Sequence, residues 1–130
     1  MNKLSHGILW LGLAFGLCAG AARAGSAYYS VSGTNGYSQT YAGISIPSTC
    51  SISTTITLDR YGATTGYGSG ISYIYRGSTQ VLAGYLNIEE NYHVSQTWST
   101  SDQAAGSYQF TGVCALGAPK QAVITASFNW

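Results

Sequence analysis

Residues 50–58 read CSISTTITL, and this stretch decides the fold class. Alternate residues from Cys50 to Leu58 are mostly apolar, whereas every residue between them is Ser or Thr. A period of two places one set of side chains in a core and the other in water, which is typical of a strand in an antiparallel sheet. The stretch therefore predicts a strand with one buried face.

The rest of the chain repeats this signal in short segments separated by turn residues. Further strands are predicted at 27–32, 37–46, 71–76, 79–88, 92–99, 107–114 and 121–130. Gly77 and Ser78 fit a two-residue hairpin turn, Glu89 to Asn91 fit a polar turn, and the glycine-rich residues 59–70 fit a long loop. Seven or eight strands at this spacing favour an all-β fold, a small antiparallel β-sandwich.

The amino-acid composition fits a folded domain with few charges. The chain has 130 residues, of which 11 are Tyr and 7% are charged. Disordered chains are usually rich in charge and poor in aromatics, so this composition favours a packed core. Beyond residue 24 the basic residues are Arg60, Arg76 and Lys120, which are scattered and face four acidic residues. Nucleic acids and anionic membranes need clustered positive charge, so we expect neither as a partner.

The first 24 residues have the features of an export signal. Lys3 precedes an apolar run at 8–18, and Ala22-Arg23-Ala24 fits the small-residue pattern that signal peptidase cleaves. The run is too short for a membrane span, which needs roughly 20 residues. We expect a cleavable signal peptide over 1–24, one domain over 25–130 in the periplasm or outside the cell, and no membrane span in the processed protein.

Two cysteines remain after this cleavage, Cys50 and Cys114. An even pair in an oxidising compartment predicts one disulfide. The predicted turns conflict with it, because they make the strand that Cys50 begins parallel to the strand that Cys114 ends. At about 3.3 Å per residue the two sulfurs would then lie roughly 25 Å apart, whereas a disulfide needs Cα atoms within about 7 Å. We retain the disulfide and expect either a misplaced turn, first of all the one at Glu89 to Asn91, or cysteines in loops that meet.

Residues 102–110 read DQAAGSYQF and resemble the corner that enters the penultimate strand of immunoglobulin-like sandwiches. In that family a tyrosine hydroxyl at this corner bonds back to the backbone of the corner. The resemblance implies an immunoglobulin-like arrangement of strands and a structural role for Tyr108. The family's cysteine two residues after the tyrosine is replaced here by Phe110, so its disulfide pattern does not carry over.

Catalytic and metal signatures are sparse in this sequence. Beyond residue 24 the one histidine is His93, on the predicted wet face of its strand, with Glu89, Glu90 and Asp102 as candidate orienting acids. No nucleophile motif such as G-x-S-x-G accompanies this histidine in the sequence. The acidic residues do not cluster in a way that predicts a metal site or a glycosidase pair, and the glycines do not form a phosphate loop. We expect a protein that is not an enzyme and needs no cofactor or metal.

The tyrosines are the remaining candidates for binding. Tyr37 and Tyr41 lie in one glycine-rich segment, and Tyr61 and Tyr67 lie in the long loop. Exposed tyrosines offer rigid amphipathic contact area, and their flat rings stack on sugars. An alternative is that these tyrosines are only strand formers on half-buried faces.

Three classes of function follow. The first is an exported, non-catalytic β-sandwich that binds a glycan or a protein partner through Tyr/Gly-rich loops. The second is a subunit of a surface or pilus-like assembly. The third is a small secreted hydrolase, or an inhibitor of one.

Overall fold

The computed structural model describes residues 23–33, 36–60, 68–88, 93–116 and 120–130. Within these residues the chain forms eight strands: β1 (Ser26–Gly33), β2 (Tyr37–Ile46), β3 (Cys50–Arg60), β4 (Gly68–Arg76), β5 (Thr79–Ile88), β6 (His93–Gln103), β7 (Gly106–Leu116) and β8 (Lys120–Asn129). The all-β prediction is confirmed. The expected signal peptide lies outside the described residues except for Arg23 and Ala24. The residues that the structure describes contain no helix that is long and apolar enough to cross a membrane.

The strands form two antiparallel sheets that pack face to face. The first sheet has the order β1-β8-β3-β6, and the second sheet has the order β2-β7-β4-β5. Among the eight described strands, β4 and β5 are the one consecutive pair that shares a sheet, and every other connection changes sheets. This is the order of a jelly roll, a sandwich built from two Greek keys.

The strand order corrects the expected immunoglobulin-like arrangement. An immunoglobulin sandwich places its first, second, fifth and fourth strands together in one sheet, whereas β1 here pairs with β8. The similarity to immunoglobulin-like sandwiches is limited to the two-layer architecture and to the corner before the penultimate strand. At that corner the Tyr108 hydroxyl donates to the carbonyl oxygen of Ala104, as the resemblance implies. Asp102, just before it, has a positive φ of 55°, which Asp tolerates better than most residues.

The predicted hairpin turn is confirmed, whereas the predicted loop at 59–70 is strand at both ends, because β3 extends to Arg60 and β4 begins at Gly68. Gly77 and Ser78 join β4 to β5 as a two-residue hairpin, with φ of 60° at Gly77. The chain passes from the second sheet to the first between Ile88 and His93, and the expected turn at Glu89 to Asn91 lies outside the described residues.

The predicted disulfide between Cys50 and Cys114 is wrong, and both thiols are free and buried. Cys50 pairs with Gln103 at the beginning of β3. The Cys114 sulfur lies 4.0 Å from the carbonyl oxygen of Ala122, and Ala122 pairs with Leu58 near the other end of β3. Eight residues of strand separate these two places, which is roughly 26 Å. The direction of the strands therefore keeps the two sulfurs apart.

The core lies between the sheets and follows the predicted alternation. In β3 the side chains of Ile52, Thr54, Ile56 and Leu58 are buried, and in β8 those of Ala122, Ile124, Ala126 and Phe128 are buried. These two strands are the inner strands of the first sheet, which explains why their inward residues are fully covered.

The second sheet meets this core with a row of very small residues. Gly112 of β7, Ser72 of β4 and Gly84 of β5 are register neighbours. A Cβ atom at Gly84 would lie 2.6 Å from Trp98, and one at Gly112 would lie 2.8 Å from Val31. Side chains of the first sheet therefore fill the space that the glycines leave, and the two sheets approach each other closely at this row.

Candidate functional site

Three tyrosines gather on the outer face of the second sheet. In β4 the residues Gly70, Ser72 and Ile74 are buried, and the residues between them are half-buried. Because successive side chains of a strand point to opposite faces, Tyr73 and Tyr75 lie on the outer face. Inward-facing Gly70 and Ser72 are small, and Ile56 of the first sheet fills the space at Gly70, while the tyrosine rings lie outside.

The pairing register shows which side chains surround them. Ile71 lies between Val113 of β7 and Tyr85 of β5, and Tyr73 lies between Thr111 and Ala83. We call the group Ile71, Tyr73, Tyr75, Tyr85 and Val113 the tyrosine face. Tyr85 is 57% exposed and the most open of the five, because the other four are half-buried. Directly paired side chains in a sheet lie about 5 Å apart and diagonal ones about 7–8 Å, so the five form one continuous surface.

Uncharged polar side chains border the tyrosine face. Tyr75 lies between Gln109 and Gln80, and its hydroxyl donates to Gln80 Oε1 at 3.2 Å. On the β2 side, the Thr40 and Thr111 hydroxyl oxygens lie 2.8 Å apart. At the Gly68 end there is a shallow groove of about 340 Å³, which is lined by Gly68, Ser69, Tyr85, Asn87 and Ala115. Amide and hydroxyl groups therefore border the rings and can form hydrogen bonds with a ligand that lies on the rings.

The tyrosine face and its border carry no charged side chain in the described part of the second sheet. Arg76, at the end of β4, is paired with the inward-facing Tyr108 and so belongs to the other side of the sheet. A surface of rings, amides and hydroxyls favours ligands that offer C–H groups and hydrogen-bonding groups together, which is the chemistry of sugars.

The tyrosines that the sequence singled out lie elsewhere. Tyr41 is half-buried on the inner side of β2, where its ring stacks on Phe110 with a centroid distance of 6.1 Å. Its hydroxyl donates to the Ser30 carbonyl oxygen at 2.9 Å and so ties β2 to β1. Tyr37 is 45% exposed and covers Gly33 at one end of the sandwich. Tyr61 and Tyr67 lie outside the described residues, and a binding role for these four residues stays a prediction.

His93 lies on the outer face of the first sheet, on the far side of the sandwich from the tyrosine face. Its Nδ1 atom is 2.5 Å from Oδ1 of Asp59, its partner across the β3–β6 pair. The sequence named Glu89, Glu90 and Asp102 as candidate acids and missed Asp59, which cross-strand register alone brings close. An oriented imidazole is one element of a general base. Here the His93 side chain is 62% exposed, and hydroxyls such as the Thr57–Ser95 pair, 3.0 Å apart, are its neighbours on the flat sheet.

The two thiols lie in surroundings that suppress their chemistry. Burial raises the pKa of Cys50 above its ordinary value of 9.0, against smaller lowering effects from a hydrogen bond with Tyr108 and from the charge of Arg76. Burial also raises the pKa of Cys114. The thiolate is the nucleophile and metal ligand, so both groups stay neutral and inert near pH 7. Among the described residues no three His, Cys, Asp or Glu side chains cluster as metal ligands.

Comparison with known proteins gives similarities of low identity. No protein-family model and no curated protein sequence matches the chain. Among solved structures, the C-terminal CBM6 of LamC, a marine laminarinase from Zobellia galactanivorans, is similar with 17% identity and a TM-score of 0.47, over 82% of this chain and 100% of that one. A pilus structure from Bacillus endospore appendages has 13% identity and a TM-score of 0.46, over 85% and 90%. PliG, a periplasmic inhibitor of g-type lysozyme from Aeromonas hydrophila, has 17% identity and a TM-score of 0.39, over 85% and 90%. We draw no functional conclusion from similarities at this level.

Proposed function

We propose that this protein is an exported binding module that holds an uncharged polysaccharide chain on its tyrosine face. One observation carries the proposal: Tyr73, Tyr75 and Tyr85 occupy neighbouring positions on one outer sheet face, bordered by amides and hydroxyls. Large contiguous apolar patches on the surface of a soluble protein mark binding sites, whereas single scattered apolar residues do not.

The backbone beneath the rings supports the proposal. Tyr73 and Tyr75 belong to β4, an inner strand that is paired on both sides, by β5 and β7. The backbone that carries these two rings is therefore held in place before any ligand arrives. A rigid aromatic platform loses little conformational entropy on binding, which favours affinity.

The arrangement of the rings indicates the shape of the ligand. Tyr85 is diagonal to Tyr73 across the β4–β5 pair, and Tyr75 follows Tyr73 two residues along the strand. Each step is about 7 Å. A line of three rings at this spacing suits several consecutive units of an extended chain, each presenting its C–H face to an aromatic ring. The lack of charge on the described part of this surface favours neutral sugars over uronates, sulfates or phosphates.

Export is the second part of the proposal. The features of residues 1–24 predict a signal peptide, and the described ladder begins directly after it. Gly25 donates to the Trp130 carbonyl oxygen at 2.7 Å, and Trp130 donates to the Gly25 carbonyl oxygen at 2.9 Å. Cleavage after Ala24 would leave this ladder complete, which supports a location in the periplasm or outside the cell.

Binding without catalysis is the third part. The paired Asp59 and His93 lie on the first sheet, and the tyrosine face lies on the outside of the second. A glycan stacked on the tyrosines would therefore be held away from that imidazole.

The experiment is a binding panel with matched tyrosine variants. The protein purified from a host that exports the full chain is tested by affinity electrophoresis and calorimetry against neutral glucans, xylan, mannan and chitin, and against the acidic polymers alginate and pectate. We expect at least one neutral polymer to bind and the acidic ones not to. Tyr73→Ala and Tyr85→Ala should each weaken that binding at least tenfold, because stacking on one ring contributes on the order of 1.4 kcal/mol.

The control is Tyr28→Ala. Tyr28 is 67% exposed but stands on the outer face of the first sheet, in the same register row as Ser127 and Ser53. Its removal should leave the affinity unchanged. Binding of no neutral polymer, or an equal loss in Tyr28→Ala and Tyr73→Ala, would contradict the proposal.

A further inference from the structure

From Leu82 to Ile88 the free edge of β5 lacks the charge, proline and bulge that usually protect an edge strand. Its sequence, TQVLAGYLNI, contains no charged residue and no proline. A register shift opposite Ile74 and Tyr75 places a bulge near Val81, and from Leu82 to Ile88 the pairing with β4 is regular. Soluble proteins normally blunt such edges with lysine, proline, inward-pointing charges or a bulge in the middle of the strand.

The other edge strands are each interrupted or tied at one point, although β1 and residues 94–101 of β6 also lack charge and proline. β2, at the opposite edge of the second sheet, is divided by a bulge between Tyr41 and Ile44, with φ of 70° at Gly43. β1 is tied to β2 by the hydrogen bond from Tyr41 to the Ser30 carbonyl oxygen. The outer end of β6 carries Asp102 at a further register shift.

Apolar side chains beside the β5 edge are left partly open. Five half-buried residues pack against the core from β5 and β6, and we call them the open flank: Val81, Leu82, Leu86, Val94 and Trp98. The opposite side of the sandwich is closed instead by aromatic packing, with the Tyr29 and Tyr41 rings 5.1 Å apart. The unprotected strand and the open flank lie on the same side of the molecule.

We propose that a second copy of this chain binds here, with the two β5 strands pairing antiparallel about a two-fold axis. The occupant must offer a free strand edge without charge and apolar side chains next to it, and β5 with its flank has both properties. Such a contact is self-complementary, as an isologous interface requires. The bulge in β2 disfavours the head-to-tail alternative, in which β5 of one copy would extend the second sheet of the next copy at β2.

The pairing joins the two second sheets into one sheet of eight strands. Inward residues such as Leu82 and Leu86 of one copy then lie beside those of the other, which removes apolar surface from water. Tyr85, on the outer face of β5, comes close to its counterpart, so the two tyrosine faces become continuous. The inference does not depend on what the tyrosine face binds.

Sedimentation of the exported protein tests the proposal across micromolar to millimolar concentrations. We expect twice the monomer mass at high concentration. Leu82→Lys should raise the dissociation constant at least tenfold, because it places a charge in the interface, while the long lysine side chain can reach water in the free monomer. The control is Ala27→Lys, at a half-buried position of β1 on the opposite side of the sandwich, which should leave the dimer intact.

Hydrogen exchange gives a readout that needs no substitution. Backbone amides of Leu82 to Ile88 that point away from β4 should exchange more slowly as concentration rises, while those of β2 should not change. A monomer at every concentration, masses beyond twice that of the monomer, or a dimer lost in Ala27→Lys but kept in Leu82→Lys would overturn the proposal.

Discussion

The side chains of Thr54 and Ser72 join the two sheets by a hydrogen bond in the centre of the sandwich. Thr54 Oγ1 lies 2.6 Å from Ser72 Oγ, and both residues are fully buried. Thr54 Oγ1 also donates to the Thr125 carbonyl oxygen at 2.8 Å, so Ser72 is the donor between the two hydroxyls. This bond fixes β4 and thus the platform under Tyr73.

Removal of one hydroxyl of this pair should cost nearly as much stability as removal of both. Thr54→Val leaves the Ser72 hydroxyl buried without an acceptor, and we expect a loss of about 1–3 kcal/mol in the free energy of unfolding. Adding Ser72→Ala to Thr54→Val should cost little more, because the stranded donor is then gone. Urea denaturation of the two single variants and the double variant measures the coupling. Strictly additive losses would show that the hydroxyls do not interact.

The close approach of Gly84 and Trp98 predicts intolerance to a methyl group. Gly84→Ala would place a Cβ 2.6 Å from the indole ring, and overpacking of this kind costs about 1–3 kcal/mol. In a Trp98→Leu background the same substitution should cost less, because the ring that it meets is absent. Thermal unfolding of the four proteins checks this, and an equal cost in both backgrounds would count against the contact.

The cysteines should behave as free, protected thiols. Because Cys50 and Cys114 are buried and neutral, thiol reagents should modify the folded protein slowly and the denatured protein fully. A reducing agent should not change the melting temperature. Mass spectrometry after alkylation of the exported protein provides the count. If the denatured protein takes up the two labels only after reduction, the predicted disulfide is present after all.

Stability should fall at alkaline pH. Burial raises the pKa of Cys50, of Cys114 and of Tyr108, whose ordinary value is 10.0. The unfolded chain therefore releases these protons first, so the stabilisation is complete below about pH 9 and is lost as the pH rises through the folded-state values. Melting temperatures from pH 7 to 11 test the sign, and Cys114→Ala should flatten part of the decline. A melting temperature that stays constant or rises to pH 11 is the contrary result.

His93→Ala should change neither stability nor glycan affinity appreciably. The exposed pair with Asp59 contributes about 0–1 kcal/mol, and it lies on the opposite sheet from the tyrosines. Calorimetry and denaturation on the one variant measure both quantities. A large loss of glycan affinity would move the binding site to the first sheet.

Alternation predicted the strands well because it reflects burial directly. In β3 and β8 one set of residues is mostly apolar and the other mostly polar, and the structure buries the mostly apolar set. Alternation does not decide the faces of ISYIYR at 71–76, where each of the two alternating sets contains one isoleucine. The structure buries Gly70, Ser72 and Ile74, and side chains of the first sheet fill the space there. That partnership between sheets is not encoded within β4, so the tyrosine face escaped sequence analysis.

For the cysteines, strand geometry predicts the observed state better than the expected cellular compartment does. The predicted strand directions place Cys50 and Cys114 too far apart for a disulfide, as the structure does, whereas the expected oxidising compartment favours the bridge. The pairing register of the strands, by contrast, could not be predicted from the sequence. The pairing of Asp59 with His93 depends on which residue of β6 stands opposite β3, and residues 34 positions apart give no local signal of it.

The pairing of β1 with β8 governs when the molecule can be completed. β1 is the first of the described strands to be synthesised, yet its partner in the sheet, β8, begins at Lys120. Contacts so distant along the chain form late and slowly. The segment with Tyr28 and Tyr29 therefore stays without its sheet partner until β8 has been made, so the first sheet is completed late.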